Sequence, residues 1–178
     1  MRDLFLEGMS RAACSVCIVT TDGPGGRAGV TVSAMSSVSA DTPSPSLLVC
    51  VHHKSPATDA IRENGVFCVN LLRDDQAFVS DSFAGRIKMP GGDKFACADW
   101  EIRATGAPVL RDPLAAFDCR LEKHFRWGSH FIFIGALADI DVQGRGSPLI
   151  YAQRAYGTPR PLADLAAANT IAVQAPAA

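Results

Sequence analysis

The segment Val51-His-His-Lys-Ser-Pro-Ala-Thr-Asp-Ala-Ile61 holds residue types whose spacing suits an anion. Lys54 brings a positive charge, and Ser55 and Thr58 bring hydroxyls. Ser55 is a good helix N-cap, and Pro56 falls where proline is favoured at the first helical position. A helix N-terminus offers free N–H groups, so Lys54, Ser55 and Thr58 outline a phosphate site. The stretch before it, Gly29 to Val51, has a different chemistry. Thr31, Ser33, Ser36, Ser37 and Ser39 put small hydroxyl residues where a core strand carries bulk. Such a strand leaves room for something flat against its main chain and offers that guest hydroxyls and N–H groups. Together the two stretches describe a ligand with a flat ring over residues 31–36 and a phosphate at the helix start. A polar edge strand is the plainer reading of residues 31–39.

These residues need elements to hold them. Leu4, Phe5, Met9 and Ala12 lie on or near one face of an amphipathic helix expected over residues 2–12. A strand to Thr21 leads into the Gly-Pro-Gly-Gly turn at 23–26, and the small-residue strand follows, up to a Pro-rich corner at Asp41 to Pro45. Strands at 46–52 and 66–71 flank a helix at 56–63. Residues 74–83 have helical character, with Asp74 or Asp75 as cap. Gly85, Pro90, Gly91 and Gly92 mark a mobile loop over 84–94. Two long strands, 115–127 and 130–142, are separated only by Gly128-Ser129, a hairpin signal. A last strand at 148–154 precedes Tyr156-Gly157, and a short helix is expected over 162–169 in a Pro- and Ala-rich tail. Many short strands, few helices and Gly/Pro corners predict a mostly β fold, a closed or nearly closed antiparallel barrel. The expected organisation is one domain over 1–160 and a tail over 161–178.

Composition excludes several classes. Apolar residues make up 48% and charged residues 20%, with a net charge of −1, so nothing points to nucleic acid or a membrane surface as partner. No run is long enough to span a membrane. Asp3 and Glu7 interrupt the apolar residues of the N-terminus, which does not read as a signal peptide, and the expected compartment is the cytoplasm. No Gly-x-Gly-x-x-Gly follows a strand, so no Rossmann site is expected. Cys14 and Cys17 have Cys-x-x-Cys spacing, but residues three apart on a strand point to opposite faces. Cys50, Cys68, Cys97 and Cys119 sit mostly among apolar neighbours. The six cysteines read as structural thiols, and no metal is expected.

A resemblance now becomes specific. Gly29-Val-Thr-Val-Ser-Ala, Ser37-Val-Ser, Leu48-Val-Cys-Val and Lys54-Ser55 are followed in order by Val69-Asn-Leu-Leu, Ser82-Phe-Ala-Gly85 and Asp93-Lys-Phe95. Gly106-Ala-Pro108, Gly128-Ser-His-Phe-Ile-Phe-Ile-Gly135 and Pro148-Leu-Ile-Tyr151 through Tyr156-Gly157 complete the set. Over residues 10–160 this order resembles the short-chain flavin reductases, the reductase components of two-component flavin monooxygenases. One departure is Ser33-Ala34, where many relatives carry Asn-Ser; ring contacts through the main chain survive it.

The resemblance implies a Greek-key split β-barrel that forms a homodimer with flavin at or near the subunit interface. It implies an NAD(P)H-dependent flavin reductase that reduces FMN or FAD and passes the reduced flavin to a separate monooxygenase. The flavin-binding residues would be Thr31, Val32, Ser33, Ala34, Ser37, Ser39, Val51, Lys54, Ser55, Thr58, Phe83, Ala84 and Phe95. His130, in the family's Ser-His-x-Ile-Phe-Ile-Gly motif, would be the catalytic side chain beside the nicotinamide, with Arg154 and Tyr156 closing that pocket. On the residues alone, His130 also reads as a turn residue, Tyr156 as a packed aromatic and Arg154 as a solvated base. A tight flavin-binding electron carrier or redox sensor on the same fold is the alternative function. A pyridoxamine-phosphate-type oxidase ranks last, for want of a basic cluster. Flavin reduction asks little of side chains, since the cofactors carry the reaction, so no catalytic triad is expected.

Overall fold

Along Ser46–His52, Leu47, Val49 and Val51 are buried while Ser46, Leu48 and Cys50 are only half-buried, the alternation of a strand with one face on a core. This pattern recurs through the computed structural model, which describes residues 1–162. In chain order the elements are α1 (Arg2–Arg11), β1 (Cys14–Ser15), β2 (Cys17–Thr21), β3 (Ala28–Val32), β4 (Met35–Ser39), β5 (Ser46–His52), α2 (Pro56–Asn64) and β6 (Val66–Leu71). Then come α3 (Ala77–Phe83), β7 (Trp100–Ile102), β8 (Pro108–Leu110), β9 (Ala115–Trp127), β10 (His130–Val142), β11 (Ile150–Ala152) and β12 (Ala155–Gly157).

Seven strands form one antiparallel sheet in the order β3-β2-β6-β9-β10-β5-β4. Its two edge strands, β3 and β4, are consecutive in the chain and are joined only by Ser33 and Ala34. The sheet therefore curls until its edges nearly meet, a split barrel. The Cys50 N–H donates to the Ala34 carbonyl at 3.0 Å and fastens this join to β5. Val19, Val49, Val51, Ile61, Phe67, Val69 and Phe133 fill the barrel, with α2 capping it. A second core gathers Val16, Ile18, Leu72, Val79, Phe83, Phe95 and Leu149 beneath α3 and the small sheet β1-β11-β12.

Two strand glycines are dictated by aromatic neighbours. A Cβ at Gly29 would lie 2.5 Å from Phe83, and one at Gly135 2.5 Å from Phe67. Only glycine lets those rings pack flat on the main chain. Phe83 also meets Phe95 and Trp100 edge-on, at 5.1 and 5.5 Å between centroids.

Several expectations shift in the structure. The run from Gly29 to Ser39, read as one strand, is two strands at opposite edges of the sheet. The run 148–154 stops at Ala152, because Gln153 and Arg154 both adopt positive φ (51° and 63°) and turn the chain into β12. Residues 74–76 form a 3-10 turn before α3, and its N-terminal lock is not Asp74 or Asp75: the Gln76 Oε1 accepts the Arg73 N–H at 2.9 Å. The loop 84–94 is tied at several points. Arg86 N–H donates to the Asp81 carbonyl at 2.9 Å, Lys94 Nζ to the Phe83 carbonyl at 2.9 Å, and Arg27 pairs with Asp93 at 3.0 Å. β7 and β8 were not expected at all. The helix expected over 162–169 lies, beyond its first residue, outside the described residues. The six cysteines are free thiols, and burial pushes Cys17 and Cys119 up to about 12.

Candidate functional site

The residues around the Ser33–Ala34 join border a groove of about 740 Å³. Its floor is apolar: Val30 and Val32 of β3, Cys50 of β5 and Ile132 of β10. Alternation on β5 and β10 puts Cys50, His52, His130 and Ile132 on one face, where His130 stands opposite His52 and Ile132 opposite Cys50. Phe5 and Met9 of α1 and Trp127 wall the groove. At its rim, the N–H groups of Ser33 and Ala34 find no acceptor among the described residues, because here the chain leaves one sheet edge and has not yet joined the other. Unpartnered main-chain donors beside an apolar floor are a polar edge waiting for a ligand's acceptors.

A smaller pocket of about 180 Å³ adjoins across Thr31, Val32 and Ser33 and is lined by Ser80, Ala84, Arg86, Tyr151 and Tyr156. Tyr156 Oη donates to Asp81 at 2.8 Å and lies 2.8 Å from Ser80 Oγ, and Arg86 donates to Asp81 at 3.0 Å and to Tyr156 at 3.3 Å. Desolvation first, and then the hydrogen bond to Asp81, raise the Tyr156 hydroxyl above its usual range. Thr31 Oγ1 donates to the Ser80 carbonyl at 2.7 Å, so this hydroxyl ties β3 to α3. Burial also raises the Cys50 thiol, which stays a neutral floor residue.

The groove's mouth is basic. His52 and His130 meet edge-on at 5.1 Å, and His52 stacks on His53 at 4.7 Å. His53 Nδ1 lies 2.9 Å from the Ser129 carbonyl, and His130 Nδ1 3.0 Å from Ser129 Oγ. The two-residue turn of the β9–β10 hairpin thus fixes both rings. Lys54 and Ser55 follow directly in the chain.

The sequence profile of the flavin reductase like domain matches residues 9–160. The chain belongs to the flavin reductase family. It is 44% identical over 154 residues to the FMN reductase (NADH) RutF 1 of Methylorubrum extorquens, covering 86% of this chain and 75% of that protein. It is 43% identical over 162 residues to the FMN reductase (NADH) RutF of Ancylobacter novellus, covering 89% and 87%. Among solved structures, BorF, the flavin reductase component of a bacterial two-component tryptophan halogenase, superposes with a TM-score of 0.77 at 30% identity, covering 90% of this chain and all of that one.

In this flavin reductase the expected ligand residues divide. Thr31, Val32, Ser33, Ala34, Ala84, His130 and Tyr156 line the two adjoining pockets. The Val51 side chain points into the barrel core, away from the groove, and is fully buried. Phe83 and Phe95 are packed behind β3 in the second core. Ser37 and Ser39 border a different cavity, formed with Pro45, Phe117 and Leu137. Thr58 is fully buried, and its hydroxyl donates to the His52 carbonyl at 2.9 Å. The Ser55 N–H donates to the same carbonyl and the Thr58 N–H to the Ser55 carbonyl, which takes two donors of that turn out of play. Arg154 faces Glu7 of α1 at 3.4 Å and lines neither pocket, bordering a separate cavity with Ser10 and Arg11. His52 and Trp127 line the larger pocket without having been singled out as binding residues. The Val51-His-His-Lys54 run held the signal for His52, since period-2 alternation places it on the face of Cys50.

The structure fits a flavin. The slot has an apolar floor for a flat heterocycle and two unpartnered donors for the acceptors along that heterocycle's edge. No helix among the described residues is long and apolar enough to cross a membrane.

Proposed function

We propose that this chain oxidises NADH, reduces FMN in the groove and releases the reduced flavin to a partner oxygenase or halogenase. The observation that carries the reading is the pair of unpartnered N–H groups at Ser33 and Ala34 over an apolar slot. The relatives named as NADH-dependent FMN reductases, at 44% and 43% identity, support the choice of both substrates. When bound, the flavin supplies the two-electron acceptor for the reduced nicotinamide. The chain's residues position and stabilise. The Ser33 and Ala34 N–H groups hold the ring edge and face the negative charge that grows there, without reorganising. Val32, Cys50 and Ile132 exclude water from one face. His130 flanks the nicotinamide at the mouth, and Tyr156 and Ala84 close the adjoining pocket. Lys54 and Ser55 attract the phosphate. Holding two rings in contact geometry contributes up to about 7–11 kcal/mol in favourable cases, enough for catalysis without a side-chain acid or base.

The same reading includes a cytoplasmic homodimer. Phe5 is 63% exposed and Trp127 79% exposed, both beside the groove, and a second copy would cover them. Light scattering should give twice the chain mass, and a monomer that still binds FMN refutes the dimer.

The test of function is NADH consumption in air with and without added FMN. A reductase consumes many equivalents and its rate rises with FMN. Consumption of a single equivalent, unaffected by free FMN, identifies an electron carrier instead.

A further inference from the structure

We propose that His52 is a ligand-binding residue of the groove, held in the neutral Nε2–H tautomer so that it donates to a carbonyl oxygen of a bound ring. The proposal rests on the reading of the groove as the place where flavin and nicotinamide meet.

The tautomer follows from one hydrogen bond. The Lys54 main-chain N–H donates to His52 Nδ1 at 3.1 Å. A main-chain N–H can only donate, so Nδ1 presents its lone pair and the ring proton resides on Nε2. Protonating Nδ1 would break this bond within a turn that is otherwise fully tied: the His52 carbonyl accepts from Ser55 N–H at 2.8 Å and from Thr58 Oγ1 at 2.9 Å. Nε2 is the ring nitrogen left for a ligand, and the ring lines the groove.

The surroundings select the same form. His53 stacks on His52, His130 abuts it across the strand pair, and Lys54 and Arg126 complete a set of cationic or ionisable neighbours. No carboxylate pairs with His52 among the described residues. Desolvation, followed by the charges of His53, His130, Lys54 and Arg126, holds the imidazole below its ordinary 6.5. Two kinds of donor therefore stand side by side, His52 on the groove and Lys54 two residues further along the chain. Lys54 is a point charge suited to phosphate, whereas His52 is an uncharged, oriented N–H suited to a neutral acceptor. Two such acceptors belong to the proposed reaction, a flavin ring carbonyl and the nicotinamide carboxamide oxygen.

Two measurements test this. ¹⁵N-imidazole NMR of the free protein should show His52 as the Nε2–H tautomer, protonating only below pH 6.5. Fluorescence titrations with FMN and with NAD⁺ should compare the parent, His52→Leu and His52→Gln, with thermal unfolding to confirm that each variant is folded. His52→Leu should weaken one ligand about two- to tenfold, the loss of one neutral hydrogen bond. His52→Gln, which keeps an N–H near the Nε2 position, should recover most of it. Loss confined to FMN identifies the flavin carbonyl, and loss confined to NAD⁺ identifies the carboxamide. An Nδ1–H tautomer, or unchanged affinity for both ligands in His52→Leu, overturns the proposal while leaving the reductase reading intact. A parent that binds neither ligand overturns that reading, and the proposal with it.

Discussion

Replacing Gly29 with alanine probes the link between core packing and the groove. The new Cβ would sit 2.5 Å from Phe83 Cε1, 2.9 Å from Cδ1 and 3.4 Å from Phe95 Cζ. Phe83 cannot swing away, because it is 1% exposed and wedged between Phe95 and Trp100. Overpacking of this kind costs about 1–3 kcal/mol. In a domain of this size each kcal/mol lowers Tm by about 2–4 °C, so a 2 kcal/mol loss is a fall of about 4–8 °C. Strand β3 must shift to relieve the contact, and β3 leads straight into Ser33 and Ala34. Gly29→Ala should therefore weaken FMN binding as well as stability, although Gly29 lines neither pocket. The assay is thermal unfolding and FMN titration of Gly29→Ala, Phe83→Leu and the double variant. The shorter leucine makes room for the methyl group, so the double variant should lose less than the sum of the singles, with a coupling of about 0.5–3 kcal/mol. An unchanged Tm for Gly29→Ala, or strict additivity, refutes the steric reasoning.

Lys54→Ala should weaken FMN about tenfold and leave riboflavin nearly unchanged, as expected for a charge-assisted phosphate contact; equal losses in paired titrations refute the phosphate assignment. Thr105→Val removes the hydroxyl that, with the Thr105 N–H at 2.9 Å, serves the buried Asp118 carboxylate. The cost should be about 1.5–3 kcal/mol by denaturant unfolding at neutral pH. Burial raises the Asp118 pKa above the 3.8 of the unfolded chain, so its ionised form weighs against folding, and the weight is lifted as pH falls through the raised value. The Thr105→Val deficit should accordingly shrink as pH falls from 7 through the raised value, and a deficit that grows on acidification refutes this. Arg154→Gly should raise stability by about 1 kcal/mol, because a non-glycine residue at φ 63° is strained and its exposed pair with Glu7 contributes little. A raised KM for NADH in that variant would instead assign Arg154 to the nicotinamide.

The β9–β10 hairpin was legible to the residue, because thirteen-residue strands around Gly128-Ser129 leave little else for the segment to be. β5, β6 and the start of α2 were legible as well, the first two as short apolar runs rich in valine and the third from its Ser55-Pro56 start. The split of residues 29–39 was not. Ser33 and Ala34 are no turn signal, and what separates β3 from β4 is the identity of their partners, β2 for one and β5 for the other. Local periodicity carries no information about that. Gln153 and Arg154 hid the β11–β12 turn because neither residue type advertises a left-handed backbone. Around the two pockets, residues 31–34 and His130 were visible as motifs, but sequence order does not say which residues of a motif face a pocket and which face the core. Val51 and Thr58 are motif residues whose side chains serve the fold.

The position of the Ser33–Ala34 join has a thermodynamic corollary. The donors proposed for the ligand belong to the two residues that join the edge strands of the seven-stranded sheet, so occupancy of the groove and closure of the sheet would draw on the same residues, the ligand on their N–H groups and the sheet on the Ala34 carbonyl. A ligand there acts as a clasp. By mass action, saturating it at a hundredfold excess over Kd adds about 2.7 kcal/mol to the native state. That gain should be felt locally, as slowed amide hydrogen exchange along β3 and β4, while the β7–β8 pair, which lines neither pocket, exchanges as before. Release of product then loosens the very seam that admits the next molecule, which suits a protein whose product must leave.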